Sequence, residues 1–230
     1  MNKCVLGMLG LATCMAMAPL LAHAGDAAQV YTFRVDVDGN GVLWSVQPVG
    51  PNDATTAQLQ RELTDWLVER SGDAGGGAVT TWVRVNAIPG RDGASTRVLS
   101  ASAGPAPEAL TRPDYPANAR RQGREGVVVL ELAMDADGAV ADAAVHGTFG
   151  AVDRAMANAA LAAARNWSFR PETVDGAPQA GKLLMPVCFT VSDARACEWT
   201  GPNAQLLGRD NVLALAQAVR LTLPAGYAVK

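Results

Sequence analysis

Two stretches decide the fold: RPDYPANARRQGREGVVVLELAMDADGAV at residues 112–140 and ARNWSFRPETVDGAPQAGKLLMPVCF at residues 164–189. Ala117–Gln122 reads as a short helix that begins at Tyr115-Pro116 and stops at Gly123. Val127–Met134 has the β-branched character of a strand, and Asp135–Gly138 is its turn. Val152–Asn166 is a long Ala-rich helix; Trp167-Ser168-Phe169 leaves it with aromatic bulk, and Pro171 blocks its continuation. Asp175-Gly176 then turns the chain into a last strand, Lys182–Val191. The order is helix, strand, turn, strand, helix, strand.

Working outward, the N-terminal half repeats this pattern in weaker form. VYTFRVDVDGNGVLWSV at 30–46 aligns with VVVLELAMDADGAVADAAV at 127–145, each a strand, an Asp-x-Asp-Gly turn and a second strand. A helix is expected over Thr56–Arg70, where Leu59, Leu63, Trp66 and Leu67 share one face. Asp73–Gly77 is a Gly-rich connection, and Val79–Ala87 reads as the third strand. The expected fold is therefore α+β, a tandem of small β-β-α-β units, each a three-stranded antiparallel sheet packed on helices. The expected boundaries are 28–90 for the first, degenerate unit, 91–112 for a Pro-containing linker, 113–191 for the second unit and 192–230 for a C-terminal extension. Within that extension Asp210–Arg220 reads as an amphipathic helix and Leu221–Leu223 as a short strand.

The second unit resembles the C-terminal domain of TonB-type proteins, the periplasmic energy transducers of Gram-negative bacteria. The positions that carry the resemblance are Tyr115, Pro116, Ala119, Gly126, Gly138, Trp167, Phe169, Pro171, Gly176, Pro186 and Phe189. The resemblance implies a binding domain without catalysis, linked to transmembrane transport. Such domains take short extended peptides, notably from outer-membrane transporters, at an exposed sheet edge. Backbone pairing would supply affinity, and alternate side chains selectivity. Here that edge would be Lys182–Val191, with Lys182, Leu183, Leu184, Met185, Val187 and Phe189 as peptide contacts. Tyr115 and Pro116, with Arg120 or Arg121, would lie beside it. Pro186 lacks a donor, which suits an edge strand. A one-residue shift exchanges the two faces, so the outward residues stay open. So does a competing reading of the edge as covered by the tail or by a second copy of the chain, which would make a homodimer. Tyr115-Pro116 also has a plain reading, a helix start with Tyr115 as a hydrophobic staple. Trp167 and Phe169 read as core, where helix meets sheet.

Residues 1–24 read as a secretory signal: Lys3, an apolar run, Pro19 and an Ala22-His23-Ala24 cleavage site, leaving Gly25 first in a periplasmic chain. The competing reading is a retained inner-membrane anchor, since an apolar run of about 18 residues is near the lower limit for spanning. That alternative makes the chain an anchored energy transducer, but the only Pro cluster (Pro105, Pro107, Pro113) is short for an arm across the periplasm. A third reading is a structural envelope protein that has lost peptide binding. Without residues 1–24 the chain has 18 basic and 22 acidic residues, net charge −4. That mild acidity argues against nucleic acid and anionic membrane surfaces as partners. Cys188 and Cys197 remain, and in an oxidising compartment they read as one structural disulfide stabilising by roughly 2–3 kcal/mol.

Enzyme chemistry has little to stand on. Past the signal the one histidine is His146, with no Cys ligand set beside it, and no Ser sits in a nucleophile elbow. No phosphate-binding loop appears, and Asp135 and Asp137 fall in a turn. Asp36, Asp38, Asn40 and Gly41 fit the start of a calcium loop, but Gln47 stands where a bidentate Glu is needed, and a hairpin turn explains them equally. The expectation is no catalytic residue, no metal and no cofactor.

Overall fold

Alternating side chains build the first sheet in the computed structural model, which describes residues 28–70, 76–90, 95–191 and 212–222. β1 (Gln29–Val37) buries Phe33, Val35 and Val37 on one face and returns as β2 (Leu43–Val49). The turn is closed by Asp38, whose carboxylate accepts from the N–H of Asn40 (2.9 Å) and of Val42 (2.8 Å). α1 (Ala54–Leu63) starts where the Asp53 carboxylate accepts from the Thr56 N–H at 2.8 Å, and it buries Leu59 and Leu63. β3 (Leu67–Arg70) follows. β4 (Val79–Pro89) pairs antiparallel with β1 from Gln29↔Ala87 to Val37↔Val79. β5 (Thr96–Gly104) pairs with the other side of β4, and β6 (Ala106–Ala109) ends this part of the chain.

The second sheet repeats the order. After α2 (Ala117–Arg121) come β7 (Gly126–Met134) and β8 (Val140–Gly150). Asp135 closes their turn as Asp38 does, accepting from Asp137 N–H (3.0 Å) and Ala139 N–H (2.9 Å). α3 (Arg154–Ala164) is capped by Asp153 and buries Met156, Ala160, Ala163 and Ala164. β9 (Ser168–Arg170), β10 (Thr173–Val174) and β11 (Ala177–Pro178) lead to β12 (Gly181–Phe189). Last are β13 (Leu213–Ala214) and β14 (Val219–Thr222). β12 pairs with β7, so the sheet runs β13-β12-β7-β8, just as the first runs β2-β1-β4 with β5 outside β4. Between this sheet and α3 lies a core of Val128, Leu130, Leu132, Met156, Trp167, Phe169, Leu183 and their neighbours.

The two units are joined by pairing. β10 continues the first sheet, Thr173↔Thr80 and Val174↔Val79, and Asp175 exchanges bonds with Ala78. Trp82 Nε1 donates to the Pro171 carbonyl at 3.2 Å, while the Arg170 guanidinium lies 5.4 Å from the Trp82 ring centroid. The tail joins both units, β13 to β12 and β14 to β3.

Several expectations need correction. Among the described residues the two larger sheets have six and four strands rather than three, and β14-β3 and β6-β9 form two-stranded sheets. The stretch 91–112, expected as a linker, contains β5 and β6, because β4 leaves a second edge to be paired. The helix expected over Thr56–Arg70 ends at Leu63, and Leu67–Arg70 is a strand paired with β14. Asp210–Arg220, expected as a helix, contributes β13 and the start of β14: short extended pieces held by long-range partners. Residues 1–24 and Cys197 lie outside the described residues. Among the described residues no helix is long and apolar enough to cross a membrane.

Candidate functional site

β12 has two sides, and only one is fully used. Toward β7 it is paired from Gly181↔Met134 to Phe189↔Gly126. On the other side β13 pairs with Leu183 and Leu184, and Leu215 N–H donates to the Lys182 carbonyl at 2.9 Å. Among the described residues no strand pairs with Met185–Phe189 on that side. The expected open edge, Lys182–Val191, is therefore closed over its first part.

The bond from Leu215 fixes the phase of this edge. In antiparallel pairing both backbone groups of a residue point the same way, and alternate residues point oppositely. Lys182, Leu184, Pro186 and Cys188 thus direct their backbone groups away from β7. Pro186 has no N–H to offer, so beyond Leu184 the first outward-facing residue contributes a carbonyl alone.

The side chains follow the same alternation. Leu183, Met185, Val187 and Phe189 point into the core under α3 and are buried. Their side chains belong to the core, which leaves the backbone of this edge for any contact with a partner. Leu184 is buried on the opposite face with Val127 and Val129, against Leu213. Lys182 is exposed, its Nζ 3.1 Å from Glu131 Oε1, and this bond holds the Glu131 carboxyl below its usual range. His146 adds a weaker contact to the same carboxylate at 3.7 Å.

Tyr115 sits at the far end of β12. Its ring packs edge-on against Phe189 with centroids 5.3 Å apart, and its hydroxyl donates to the Arg124 carbonyl. Burial, reinforced by Glu125 and Asp153 and opposed by Arg120, pushes its hydroxyl above the usual pKa. Pro116 is the N-cap of α2, and Tyr115 just before it packs on β12. Arg120 and Arg121 are exposed on α2, and Arg121 bonds Asn118. The structure therefore gathers Tyr115, Pro116 and Phe189 at one end of the edge and Lys182 at the other. Glu125 secures the strand's end by accepting from Val191 N–H (2.6 Å) and Thr190 Oγ1 (3.2 Å).

The residues of the calcium-like stretch are engaged within the sheet: Asp38 closes the turn, and Asp36 accepts from Thr80 Oγ1 at 2.6 Å and pairs with Arg34. Among the described residues no cluster of three His, Cys, Asp or Glu side chains could hold a metal.

Sequence reasoning missed a buried polar group between the units. Arg84, on β4, is 1% exposed and donates to the Pro105 carbonyl, to Ser102 Oγ (3.3 Å) and to the Val212 carbonyl (2.6 Å). Burial pushes its guanidinium down to about 10, against the attraction of Glu172. Glu172, also buried, accepts from Thr81 Oγ1 (2.5 Å) and Ala218 N–H (3.4 Å), and burial raises its carboxyl. The sequence signal was faint: an Arg at an ordinary polar position of an alternating strand.

Residues 111–191 match the family model described as Gram-negative bacterial TonB protein C-terminal. Over 83 residues the chain is 36% identical to Protein TonB of Xanthomonas campestris pv. campestris (strain B100), covering 36% of each chain. Over 81 residues it is 35% identical to Protein TonB of Vibrio cholerae serotype O1, covering 35% of this chain and 32% of that one. The chain thus spans about a third of the length of these curated relatives. No solved structure matches the chain significantly.

Proposed function

We propose that residues 111–191, a segment of the TonB C-terminal family, form a protein-binding module of TonB-dependent transport. It takes an extended segment of an envelope protein, such as a transporter's N-terminal peptide, by strand addition to β12. The observation that supports this reading is that, among the described residues, no strand pairs with the second side of β12 beyond Leu184, while Tyr115 packs on Phe189 at its end and Arg120 and Arg121 are exposed on α2, which follows Tyr115. Affinity comes from backbone pairing, because the inward side chains of β12 belong to the core. The module works in the periplasm after cleavage at Ala24, with Cys188 bridged to Cys197. The 28–90 unit is a degenerate copy kept as scaffold, since β5 occupies on β4 the place a partner strand would take on β12. The module has no catalytic role.

The coverage of Lys182–Leu184 by β13 favours a second reading, an envelope protein that keeps the fold without binding peptides. Amide NMR of the 25–230 chain, titrated with synthetic N-terminal peptides of outer-membrane transporters from the same host, separates the two. Saturable shifts at Met185, Val187, Cys188 and Phe189 are expected. No shift at saturating peptide, or shifts confined to β8, would overturn strand addition at β12.

A further inference from the structure

The outward hydrogen-bonding capacity of β12 is unevenly distributed. Lys182 and Leu184 direct their backbone groups outward, where β13 pairs with Leu184 and Leu215, one residue past β13, donates to the Lys182 carbonyl; Pro186 has no N–H. A strand that pairs along the whole of β12 has to take the place of β13.

What holds β13 there lies largely outside the matched segment. The residue before it, Val212, is 0% exposed and gives its carbonyl to Arg84 of the first unit. Four residues beyond it, Ala218 gives its N–H to Glu172, whose other carboxylate oxygen is held by Thr81 of the first unit. Between these anchors Ala214 packs on Gly104, at the end of β5, where a Cβ would come within 2.6 Å of the Ala214 Cβ. Then β14 fastens the tail to β3. β13 itself contributes only two paired positions. The anchors add to this short pairing and to the bond from Leu215 to Lys182.

We propose that residues 212–218 are a strap across the β12 edge, and that Arg84 and Glu172 are the positioning residues that hold it. The first unit thereby sets access to the edge of the second. This rests on the reading of β12 as a binding edge for its consequence, but the strap itself can be tested without any ligand.

The test is amide hydrogen exchange on the 25–230 chain, read at Leu184, whose N–H points to the strap, and at Leu130 in the centre of the core as control. Arg84→Met should speed exchange at Leu184 at least about five-fold, the factor that one hydrogen bond of ~1 kcal/mol supplies, and leave Leu130 unchanged. Arg84→Lys, which keeps the charge but not the three-way donation, should do the same to a smaller extent and serves if the Met variant does not fold. Leu215→Pro removes the bond to Lys182 at an exposed site and should release Leu184 without touching Arg84 or Glu172. Combined with the Arg84 variant, it should add little, since one strap is released only once. Unchanged exchange at Leu184 in a folded Arg84 variant, or full additivity, overturns the proposal. In a parallel arm Leu215→Pro should bind the transporter peptide about five-fold more tightly. If exchange responds and no peptide binds either protein, the strap stands and the binding reading falls.

Discussion

Replacing Gly138 by Ala should be far more costly than the same change at Gly123, and the difference measures how tightly the β7–β8 turn is pressed on β9. Both glycines have positive φ, 87° and 60°, so each Ala carries the left-handed backbone strain of about 1–2 kcal/mol. At Gly123 nothing lies within 4 Å of the added Cβ, so strain is the whole effect. At Gly138 the Cβ would overlap the Phe169 carbonyl oxygen, and the bond from Phe169 N–H to the Gly138 carbonyl (2.8 Å) would have to open. That adds about 1 kcal/mol for the hydrogen bond. Phe169 is 1% exposed, and shifting its backbone forfeits part of the ~3–5 kcal/mol that a buried Phe contributes, roughly 1–2 kcal/mol. The expected gap between the two variants is about 2–3 kcal/mol. Urea unfolding followed by tryptophan fluorescence, with a slope of about 2 kcal/mol per molar, should place their midpoints roughly 1 M apart. Midpoints that coincide would refute the close approach of turn and strand.

Glu172→Gln tests the buried carboxyl. A carboxyl raised in the folded state contributes stability that is complete below its unfolded pKa and lost as pH rises through the folded one. Stability curves at pH 4 and pH 7 should therefore show the Gln variant gaining on the parent as pH rises; a flat difference contradicts the burial. Asp153→Ala removes the cap of α3 and should cost about 1 kcal/mol, seen as a drop of roughly 2–4 °C in Tm by calorimetry. Met156→Ala, at a fully buried position under the second sheet, should cost about 2–5 kcal/mol by urea titration, with a loss under 1 kcal/mol inconsistent with the packing described.

The parts of the fold written in local chemistry were legible. Asp135 and Asp38 announced their turns, Asp175-Gly176 its own, and the Val-rich runs their strands. The rest depends on partners far away in sequence. Thr96–Gly104 has small and polar residues and becomes a strand only because β4 offers an edge. Leu67–Arg70 continues a helical pattern, yet pairs with Val219–Thr222. The same limit applied to the site: the alternation in Lys182–Val191 was plain, but its phase was not. The phase decides that Leu183, Met185, Val187 and Phe189 are core. Arg84 was invisible because its partners, Pro105, Ser102 and Val212, are ordinary residues from two other segments.

The two-residue strand β10 has a practical bearing on how this protein can be divided. It belongs by sequence to the segment that matches the TonB C-terminal model, but it pairs with β4 in the other unit's sheet. Cutting the chain at residues 111 and 191 would take Glu172 away from Thr81, Pro171 away from Trp82 and Asp175 away from Ala78. The excised piece would carry a loop shaped for a surface it no longer has, and its Glu172 carboxyl, returned to water, would titrate like any other. The unit of recognition by sequence and the unit of physical autonomy have different borders here, and the second is the larger.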